Sequence, residues 1–516
     1  MKNSVFAFLL ILFTNTVHAQ QGNKGSSDYF ILTPGPANSP RLNNALVYGC
    51  GPARDFLYRI PCQGKRPIKF SASELPAGLK LDENTGIITG LSPQKGTYDV
   101  ILKAKNKYGV SSKKFQIKVE GKLALTPPMG WSSWYAYYDR ITDKIIRQTT
   151  DLMIETGMAD LGYSYVNLDD CWAISAPNNK MMLLGDTTRY GIARKNDGSI
   201  NTNRHFPDMK SMTTYIHSKG LKAGIYSSPG PQTCMNFEGS YKHEAQDAKQ
   251  FAEWGFDFLK YDWCSYWNII PQTRTTADFI KPYAQMGQEL NRINRDIIYS
   301  LCQYGHADVW KWGASVGGNS WRTAGDLGFK ELDKVFDIAL RNASFGKYNK
   351  PGEWNDPDYI SIGYFGGNLT RGYPEKTKMP AWLQYSYMSL WSMMASPIIY
   401  SGDLTQIDEF TLNVLCNPEI IEINQDPLGQ CGKVIMHSDK QFIMVKELSD
   451  GTRAVALFNR EHTPVKISTR WNEIGADGKQ KLRDVWRQKD LGAFTDAFEW
   501  DIPAQGCMVV KLTPIK

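Results

Sequence analysis

Between residues 123 and 429 the sequence repeats one pattern, in which a short apolar run is followed by a polar tip and an amphipathic stretch. The amphipathic stretches at residues 141–156, 209–219, 243–254 and 276–293 have apolar residues every three or four positions, which predicts helices. Alternating strands and helices imply right-handed crossovers, so this repeat predicts a closed parallel (β/α)₈ barrel. The predicted strands end near Trp131, Asp170, Tyr226, Asp262, Cys302, Arg322, Asp358 and Tyr400.

Both flanks of this region have the pattern of β-domains. Residues 28–121 contain short apolar runs separated by Gly and Pro turns, which predicts a β-sandwich. A spacer or packing role is favoured for this sandwich over glycan binding, because it has no catalytic or aromatic cluster. Residues 430–516 predict an antiparallel β-domain. The strand-like runs of the two flanks are residues 68–72, 87–91, 98–102, 442–445, 454–458 and 508–512.

Residues 1–19 have the pattern of a cleaved export signal. Lys2 precedes an apolar run over residues 5–13, and residues 17–19 (VHA) form a small-residue cleavage site. The apolar run is too short to span a membrane, and no later stretch is long enough to cross a bilayer. The sequence therefore predicts a secreted or periplasmic protein without a membrane span.

The charge distribution weighs against nucleic-acid binding. The net charge of +7 is modest for 516 residues, and Lys and Arg are interleaved with Asp and Glu. A mixed-charge solvated surface is therefore the favoured interpretation. The 15 Trp and 26 Tyr residues suit clefts that stack against sugars, although a large core uses aromatic residues equally well.

Nine cysteines in an exported chain predict disulfides, and the odd number leaves at least one thiol unpaired. Spacing makes Cys50 with Cys62 one candidate pair and Cys416 with Cys431 another. The cysteine spacings match no zinc pattern and the chain has only seven His, so no metal site is predicted.

Two predicted strand ends, residues 256–264 (FDFLKYDWC) and 320–326 (SWRTAGD), each carry a cation close to a carboxylate. Side chains from separate strands meet at the C-terminal rim of a parallel barrel. A retaining glycosidase needs an ionised carboxylate and a protonated carboxyl there, about 5 Å apart. Lys260 beside Asp262 favours the ionised form of that carboxyl. The alternative role for Asp326 is that of a helix N-cap.

Five motifs follow one another in a fixed order. They are residues 125–131 (LTPPMGW), 161–172 with LGY and DDCW, 260–264 (KYDWC), 321–326 (WRTAGD) and 354–358 (WNDPD). In order and spacing they resemble glycoside hydrolase family 27, the α-galactosidase and α-N-acetylgalactosaminidase family. The resemblance covers residues 123–429 and extends less specifically into the C-terminal domain. The N-terminal region resembles immunoglobulin-like domains that are appended to exported bacterial glycosidases.

The resemblance implies a role for each matching residue. Asp262 would be the nucleophile and Asp326 the general acid/base of a double displacement, which needs no cofactor. Asp169 and Asp170 would accept hydrogen bonds from the 4- and 6-hydroxyls of galactose; a metal or helix-cap pair is the alternative. The other implied substrate contacts are Lys260 at the 3- and 4-hydroxyls, Arg322 and Gln303 near the 2-position, Trp131 as an apolar wall, and Cys264, which is also implied to form a disulfide with Cys234.

The implied function is that of an exported retaining exo-α-galactosidase, which removes terminal α-D-galactosyl residues from a galactose-containing oligosaccharide or polysaccharide. The enzymatic alternatives are an α-N-acetylgalactosaminidase and a β-L-arabinopyranosidase, since Gln303 stands where galactosidases of the family often have Glu. The alternative from another class is a carbohydrate-binding protein without turnover, although a binder has no need of two catalytic carboxylates. Three other departures from the family pattern are Ser132 in place of Asn, Tyr304 in place of Trp, and Tyr359 in place of Met.

Overall fold

The computed structural model describes residues 29–175, 186–328, 334–367 and 372–515, so the predicted leader at residues 1–19 lies outside the described residues. The first domain is the predicted β-sandwich. A four-stranded sheet in the order β2-β9-β8-β5 packs against a three-stranded sheet in the order β3-β7-β6, and β1 pairs with β4. The strands are β1 (Arg41–Leu42), β2 (Val47–Cys50), β3 (Asp55–Arg59), β4 (Cys62–Gln63), β5 (Lys69–Ser73), β6 (Leu79–Leu81), β7 (Ile87–Leu91), β8 (Gly96–Asn106) and β9 (Gly109–Val119).

The central domain is the predicted parallel barrel. Its eight strands are hydrogen-bonded in the order β16-β15-β14-β13-β12-β11-β10-β19. The remaining gap is bridged by Ile360, whose N–H donates to Ile399 O at 2.8 Å while its carbonyl accepts from Ser401 N at 2.9 Å. The strands of this region, including a short hairpin formed by β17 and β18, are β10 (Met129–Ser132), β11 (Tyr165–Asn167), β12 (Lys222–Ser227), β13 (Phe258–Asp262), β14 (Ile298–Cys302), β15 (Ser320–Arg322), β16 (Trp354–Asp356), β17 (Tyr364–Phe365), β18 (Glu375–Lys376) and β19 (Ile398–Tyr400).

The four helices predicted from apolar spacing are confirmed within two residues at each end, as α2, α3, α4 and α5. Side-chain caps fix where they begin, as when Asp208 accepts from Ser211 N at 2.9 Å. None of the described helices is both long and apolar enough to cross a membrane. The helices are α1 (Trp134–Tyr137), α2 (Asp143–Glu155), α3 (Met209–Ser218), α4 (Glu244–Trp254), α5 (Thr276–Arg292), α6 (Val309–Trp312), α7 (Lys334–Ser344), α8 (Ala381–Met393), α9 (Glu409–Leu415) and α10 (Pro418–Asn424).

The C-terminal domain is the predicted antiparallel β-domain. A six-stranded sheet in the order β20-β21-β22-β27-β24-β25 packs with the pair formed by β23 and β26 around an apolar core. The domain contacts the barrel through α8, where Trp486 Nε1 donates to Ser389 Oγ at 2.9 Å. The strands are β20 (Lys433–Met436), β21 (Gln441–Glu447), β22 (Arg453–Asn459), β23 (Val465–Arg470), β24 (Gln480–Asp484), β25 (Lys489–Phe494), β26 (Ala497–Ile502) and β27 (Cys507–Pro514).

The N-terminal sandwich packs against the base of the barrel, where the parallel strands begin. Gly51 N donates to Asp296 Oδ2 at 2.8 Å just before β14, and Asn43 Nδ2 donates to Asp160 O at 2.8 Å before β11. The ammonium of Lys222, the first residue of β12, lies 4.4 Å from the ring centroid of Tyr48. A cavity between the two domains lies at this end, away from the strand tips. These contacts fit the packing role favoured from the sequence.

The two disulfides predicted from spacing are wrong. Cys50, Cys62, Cys416 and Cys431 are free thiols. Cys50 ends β2 in the four-stranded sheet whereas Cys62 begins β4, so closeness in sequence does not place them in one sheet. The thiols of Cys62 and Cys431 each donate to the carbonyl of the next residue. Burial raises the pKa of all four thiols to about 12, which keeps them protonated.

Candidate active site

The predicted functional side chains meet at the C-terminal ends of neighbouring barrel strands. Asp169 and Asp170 follow β11, Lys260 and Asp262 lie in β13, and Arg322 ends β15. Each of these residues is at least nine-tenths buried. The parallel register gives all strands the same direction, so residues far apart in sequence converge on one rim.

Asp262 is a buried carboxylate with three positive or hydrogen-bonding neighbours. Its Oδ1 accepts from Tyr304 OH at 2.6 Å and its Oδ2 from Tyr226 OH at 3.1 Å. Lys260 Nζ lies 4.0 Å from Oδ2. Burial raises the pKa of Asp262, Lys260 and Tyr304 oppose that rise, and Asp326 adds to it. The side chain is therefore oriented through both of its oxygens.

The carboxylate of Asp169 accepts hydrogen bonds from four donors. Its Oδ2 accepts from Lys260 Nζ at 2.9 Å, from Tyr359 OH at 3.0 Å and from Ser132 Oγ at 3.3 Å. Its Oδ1 accepts from the backbone N–H of Asp170 at 2.9 Å. Burial alone would lower the pKa of Lys260, but Asp169 and Tyr359 raise it well above its usual value. Lys260 is thus held as a cation between the two carboxylates.

Asp170 lies beside Asp169 in a less charged environment. Its carboxylate accepts from Cys171 N at 2.7 Å and from Met235 N at 2.9 Å. Burial raises the pKa of Asp170 to about 7, against the lowering effect of Met235 N–H and of a hydrogen bond from Thr233. In the free protein the carboxyl of Asp170 therefore gains or loses its proton near neutral pH.

Asp326 is more exposed than Asp262, with 52 % of its side chain accessible to solvent. Its Oδ1 lies 3.1 Å from Arg322 Nη2, while Arg322 Nη1 lies 2.9 Å from Asp358 Oδ1. The carboxylate of Asp358 is fully buried and also accepts from Leu327 N at 2.7 Å. Asp358 thereby fixes both the guanidinium and the backbone next to Asp326. Residues 329–333 lie outside the described residues, and so does most of the helix at residues 327–332 that Asp326 would cap in the alternative interpretation.

The remaining predicted site residues differ in how closely they join this cluster. Cys264 is joined to Cys234 at disulfide distance, and its Sγ lies 3.2 Å from Tyr226 OH. Gln303 is fully buried and its Nε2 donates to His306 O at 2.8 Å, while its Oε1 has no partner among the described residues. Trp131 is also fully buried and donates to Gly402 O at 2.8 Å, so in the free protein it is a core residue.

Among the described residues, one group of three has side chains close enough together to hold a metal ion: Cys234, Cys264 and Asp262. The two sulfur atoms of this group belong to the disulfide, so neither offers a thiolate to an ion. The arrangement therefore suits acid–base and nucleophilic chemistry by carboxylates better than metal coordination.

The sequence analysis gave no site role to several residues that hold the carboxylates in place, among them Tyr226, Tyr304, Tyr359 and Asp358. A chain with 26 Tyr residues gives no reason to select three of them. Two of the three, Tyr304 and Tyr359, nevertheless depart from the family pattern, and that departure was the available signal.

Comparison with known families divides the chain as the structure does. Residues 126–426 match the family described as "Alpha galactosidase A", and residues 438–512 match "Alpha galactosidase C-terminal beta sandwich domain". Residues 57–120 match an Ig-domain family. The first match alone spans more than half of the chain and contains every predicted site residue.

Comparison with individual proteins agrees with the family matches. The chain is 36% identical to α-galactosidase 3 of Arabidopsis thaliana, over 84% of this chain and 90% of that protein. Its structure is similar to that of α-galactosidase I from Mortierella vinacea, with a TM-score of 0.67 and 29% identity over 77% of this chain and 98% of that one. A crystal structure from Bacteroides fragilis matches all three domains, with a TM-score of 0.83 and 36% identity over 95% of this chain and 100% of that one. The chain therefore belongs to glycoside hydrolase family 27, the α-galactosidase family.

Proposed function

We propose that this protein is an exported, retaining exo-α-galactosidase in which Asp262 is the nucleophile and Asp326 the general acid/base. The observation that carries the proposal is the contrast between the two carboxylates. Asp262 is buried, close to Lys260 and oriented by two hydroxyls, whereas Asp326 is half-exposed at the mouth of the site. A retaining mechanism gives its two carboxyl groups different tasks: the oriented Asp262 suits attack on the anomeric carbon, and the accessible Asp326 suits proton transfer to the leaving group and from water.

The proposed reaction has two steps. In the first, an oxygen of Asp262 attacks the anomeric carbon while the glycosidic bond breaks, and Asp326 gives its proton to the departing oxygen. In the second, Asp326 takes a proton from water, the water oxygen attacks the anomeric carbon, and Asp262 leaves as a carboxylate. Two inversions at one carbon retain its configuration, and water is the only co-reactant.

The charged residues at the inner end of the site support galactose as the sugar. Asp169, Asp170 and Lys260 offer acceptors and a donor for the 3-, 4- and 6-hydroxyls. Charge-assisted hydrogen bonds of this kind are strong, and a sugar that leaves them unpaired is rejected. The cluster closes the inner end of the site, because these residues are almost fully buried. A closed end suits a terminal sugar, which supports exo action.

Two buried atoms without partners are available for the substituent at the 2-position of the sugar. Gln303 Oε1 is an acceptor and Arg322 Nε a donor, and neither has a partner among the described residues. A hydroxyl both donates and accepts, so it can satisfy one atom of each kind. An acetamido group offers a donor and an acceptor as well, so our preference for α-galactosides over α-N-acetylgalactosaminides rests on relatives such as α-galactosidase 3 of Arabidopsis thaliana.

The test compares release of 4-nitrophenol from the α-galactoside, the α-N-acetylgalactosaminide and the β-L-arabinopyranoside. We expect turnover of the α-galactoside, with the α-anomer of galactose appearing first by proton NMR. Asp262→Ala should abolish turnover, and azide should restore it in part as a β-galactosyl azide. The matched control is Asp501→Ala, at an exposed position on β26. Turnover that survives Asp262→Ala, or β-galactose as the first product, would refute the proposal.

Export is the remaining part of the proposal. It is supported by the signal pattern at residues 1–19 and by a Cys234–Cys264 pair at disulfide distance, since disulfides persist in oxidising compartments. We expect the protein purified from the culture fluid or periplasm of its host to begin at Gln20. Intact protein with Met1 in the cytoplasm would refute export without affecting the proposed chemistry.

A further inference from the structure

Two tyrosine hydroxyls donate hydrogen bonds to the carboxylate of Asp262, one from each side of β13. Tyr226 extends from β12 and donates to Oδ2 at 3.1 Å, and Tyr304 follows β14 and donates to Oδ1 at 2.6 Å. The Tyr304 contact is the shorter one, at a length typical of a hydroxyl that donates to an ionised carboxylate. The ring centroid of Tyr304 also lies 5.9 Å from the guanidinium of Arg322. Tyr304 therefore stands between the nucleophile and the cation that contacts Asp326.

The backbone that carries Tyr304 is held in an unfavourable conformation. Tyr304 has φ +64°, Gly305 has φ +86°, and Ala307 and Asp308 also have positive φ. Such strain at non-glycine residues persists only where the surroundings impose it. Here His306 is stacked on Phe279 at 5.7 Å between ring centroids, and a Cβ at Gly305 would lie 2.4 Å from the carbonyl oxygen of Thr323. These contacts hold residues 304–308 in a conformation that places the Tyr304 hydroxyl against Asp262.

We propose that Tyr304 is a positioning residue for the nucleophile, whose hydroxyl orients Asp262 for attack and assists its departure when the sugar is released. This inference rests on the proposed role of Asp262. The hydrogen bond is strong while Asp262 carries its charge and weak once that oxygen belongs to a glycosyl ester. It therefore favours the second step, in which the carboxylate charge returns, more than the first step, in which the charge is lost.

The contact also affects the pH at which Asp262 becomes a nucleophile. Removal of the Tyr304 donor takes away one of the groups that oppose the effect of burial, so the pKa of Asp262 rises further. At acidic pH a smaller fraction of the enzyme then has the ionised nucleophile. The titratable and charged groups around Asp262 are Lys260 on its own strand, Asp169 and Asp170 after β11, Tyr226 in β12, Tyr283 in α5, Cys302 in β14 with Tyr304 after it, and Arg322 in β15 with Asp326 after it.

The first test is the pH profile of Tyr304→Phe with an activated aryl α-galactoside. We expect the acidic limb of kcat/KM to move to higher pH, with about tenfold lower kcat/KM at its acidic end. Above that limb kcat should fall by more than kcat/KM, because only kcat reports release of the sugar. Tyr226→Phe, with the longer contact, should give a smaller shift of the limb. The matched control is Tyr266→Phe, a buried tyrosine nearby with no hydrogen bond to Asp262.

The second test titrates Asp262 itself and needs no turnover. The ¹³C carboxyl resonance of Asp262, identified by its loss in Asp262→Asn, should titrate at higher pH in Tyr304→Phe than in wild type. An unmoved resonance together with an unmoved acidic limb would overturn the inference. Turnover that survives Asp262→Ala would instead overturn the proposed function, and the resonance would still report whether Tyr304 controls the carboxyl.

Discussion

Asp358→Asn is the substitution that best tests how the acid/base side of the site is supported. The carboxylate of Asp358 is fully buried and has four donors around it. Oδ1 faces Arg322 Nη1 at 2.9 Å and Tyr359 N at 2.8 Å, and Oδ2 faces Tyr135 OH at 2.9 Å and Leu327 N at 2.7 Å. An asparagine has nearly the same shape, but its NH₂ group must point at one of these two donor pairs, whichever way the amide is turned.

The expected cost follows from what the substitution leaves behind. Arg322 is 3% exposed and loses its buried counter-ion, while Asp326, half-exposed and 3.1 Å away, screens only part of that charge. Removal of one partner of a buried ion pair costs about 3–5 kcal/mol in the free energy of unfolding. Whole domains are stable by about 5–15 kcal/mol, so we expect a folded but clearly weakened protein. Displacement of Arg322 and Leu327 should also lower kcat/KM by about 100-fold, as misplaced catalytic groups commonly do.

Urea unfolding followed by tryptophan fluorescence measures the first quantity, and hydrolysis of an aryl α-galactoside measures the second. The matched control is Glu499→Gln, another acid-to-amide change in an ion pair. Glu499 lies 3.3 Å from Lys466 with both side chains more than half exposed, so its loss should cost about 1 kcal/mol or less. If the Asp358 variant costs no more than this control, Asp358 does not neutralise Arg322 and the reasoning is wrong.

Three further predictions follow from the charges of the structure. Lys260→Met should raise the pKa of Asp262, so we expect kcat/KM to fall by at least about 100-fold and its acidic limb to move upwards. Calorimetry should show that galactose binding strengthens as pH rises towards about 7 and releases protons over that range, because ligand hydroxyls favour ionised Asp170; above about pH 7 both effects should end. Burial lowers the pKa of Lys446 to about 8, so between pH 8 and the ordinary lysine range only the unfolded chain keeps this proton. The free energy of unfolding should therefore rise with pH across that window, and Lys446→Met should flatten the rise.

The repeating pattern predicted the barrel because each part of it has one physical cause. Strand tips were recognisable since polar residues follow runs that are buried on both sides, as at β13. Helices such as α2 were recognisable because one face is exposed to solvent, so apolar residues recur at helical spacing on the other face. By contrast α8 was not predicted, because twelve of its thirteen residues are buried between the barrel and the C-terminal domain. A helix without a polar face has no apolar period to detect.

The carboxylates of the site were predictable and their supports were not. Asp262 and Asp326 stand in motifs, whereas Tyr304 reaches Asp262 only because its backbone adopts a positive φ. Asp358 stands in the motif at residues 354–358 but received no role from the sequence, because its contact with Arg322 depends on β15 and β16 being neighbours. Cysteine pairing failed for the same reason, since spacing does not specify which strands lie together.

The three hydroxyls that depart from the family pattern all donate to the buried carboxylates. Ser132 and Tyr359 donate to Asp169 Oδ2, which also receives Lys260 Nζ, so that oxygen already has three donors. Among the residues that the structure describes, Asp169 Oδ1 has a single donor, the N–H of Asp170. An oxygen of a carboxylate accepts about two hydrogen bonds, so the remaining capacity lies on Oδ1. We expect a galactose complex to show a sugar hydroxyl on Oδ1, and Tyr359→Phe to leave that contact unchanged; a hydroxyl bound to Oδ2 with the three donors in place would contradict this argument.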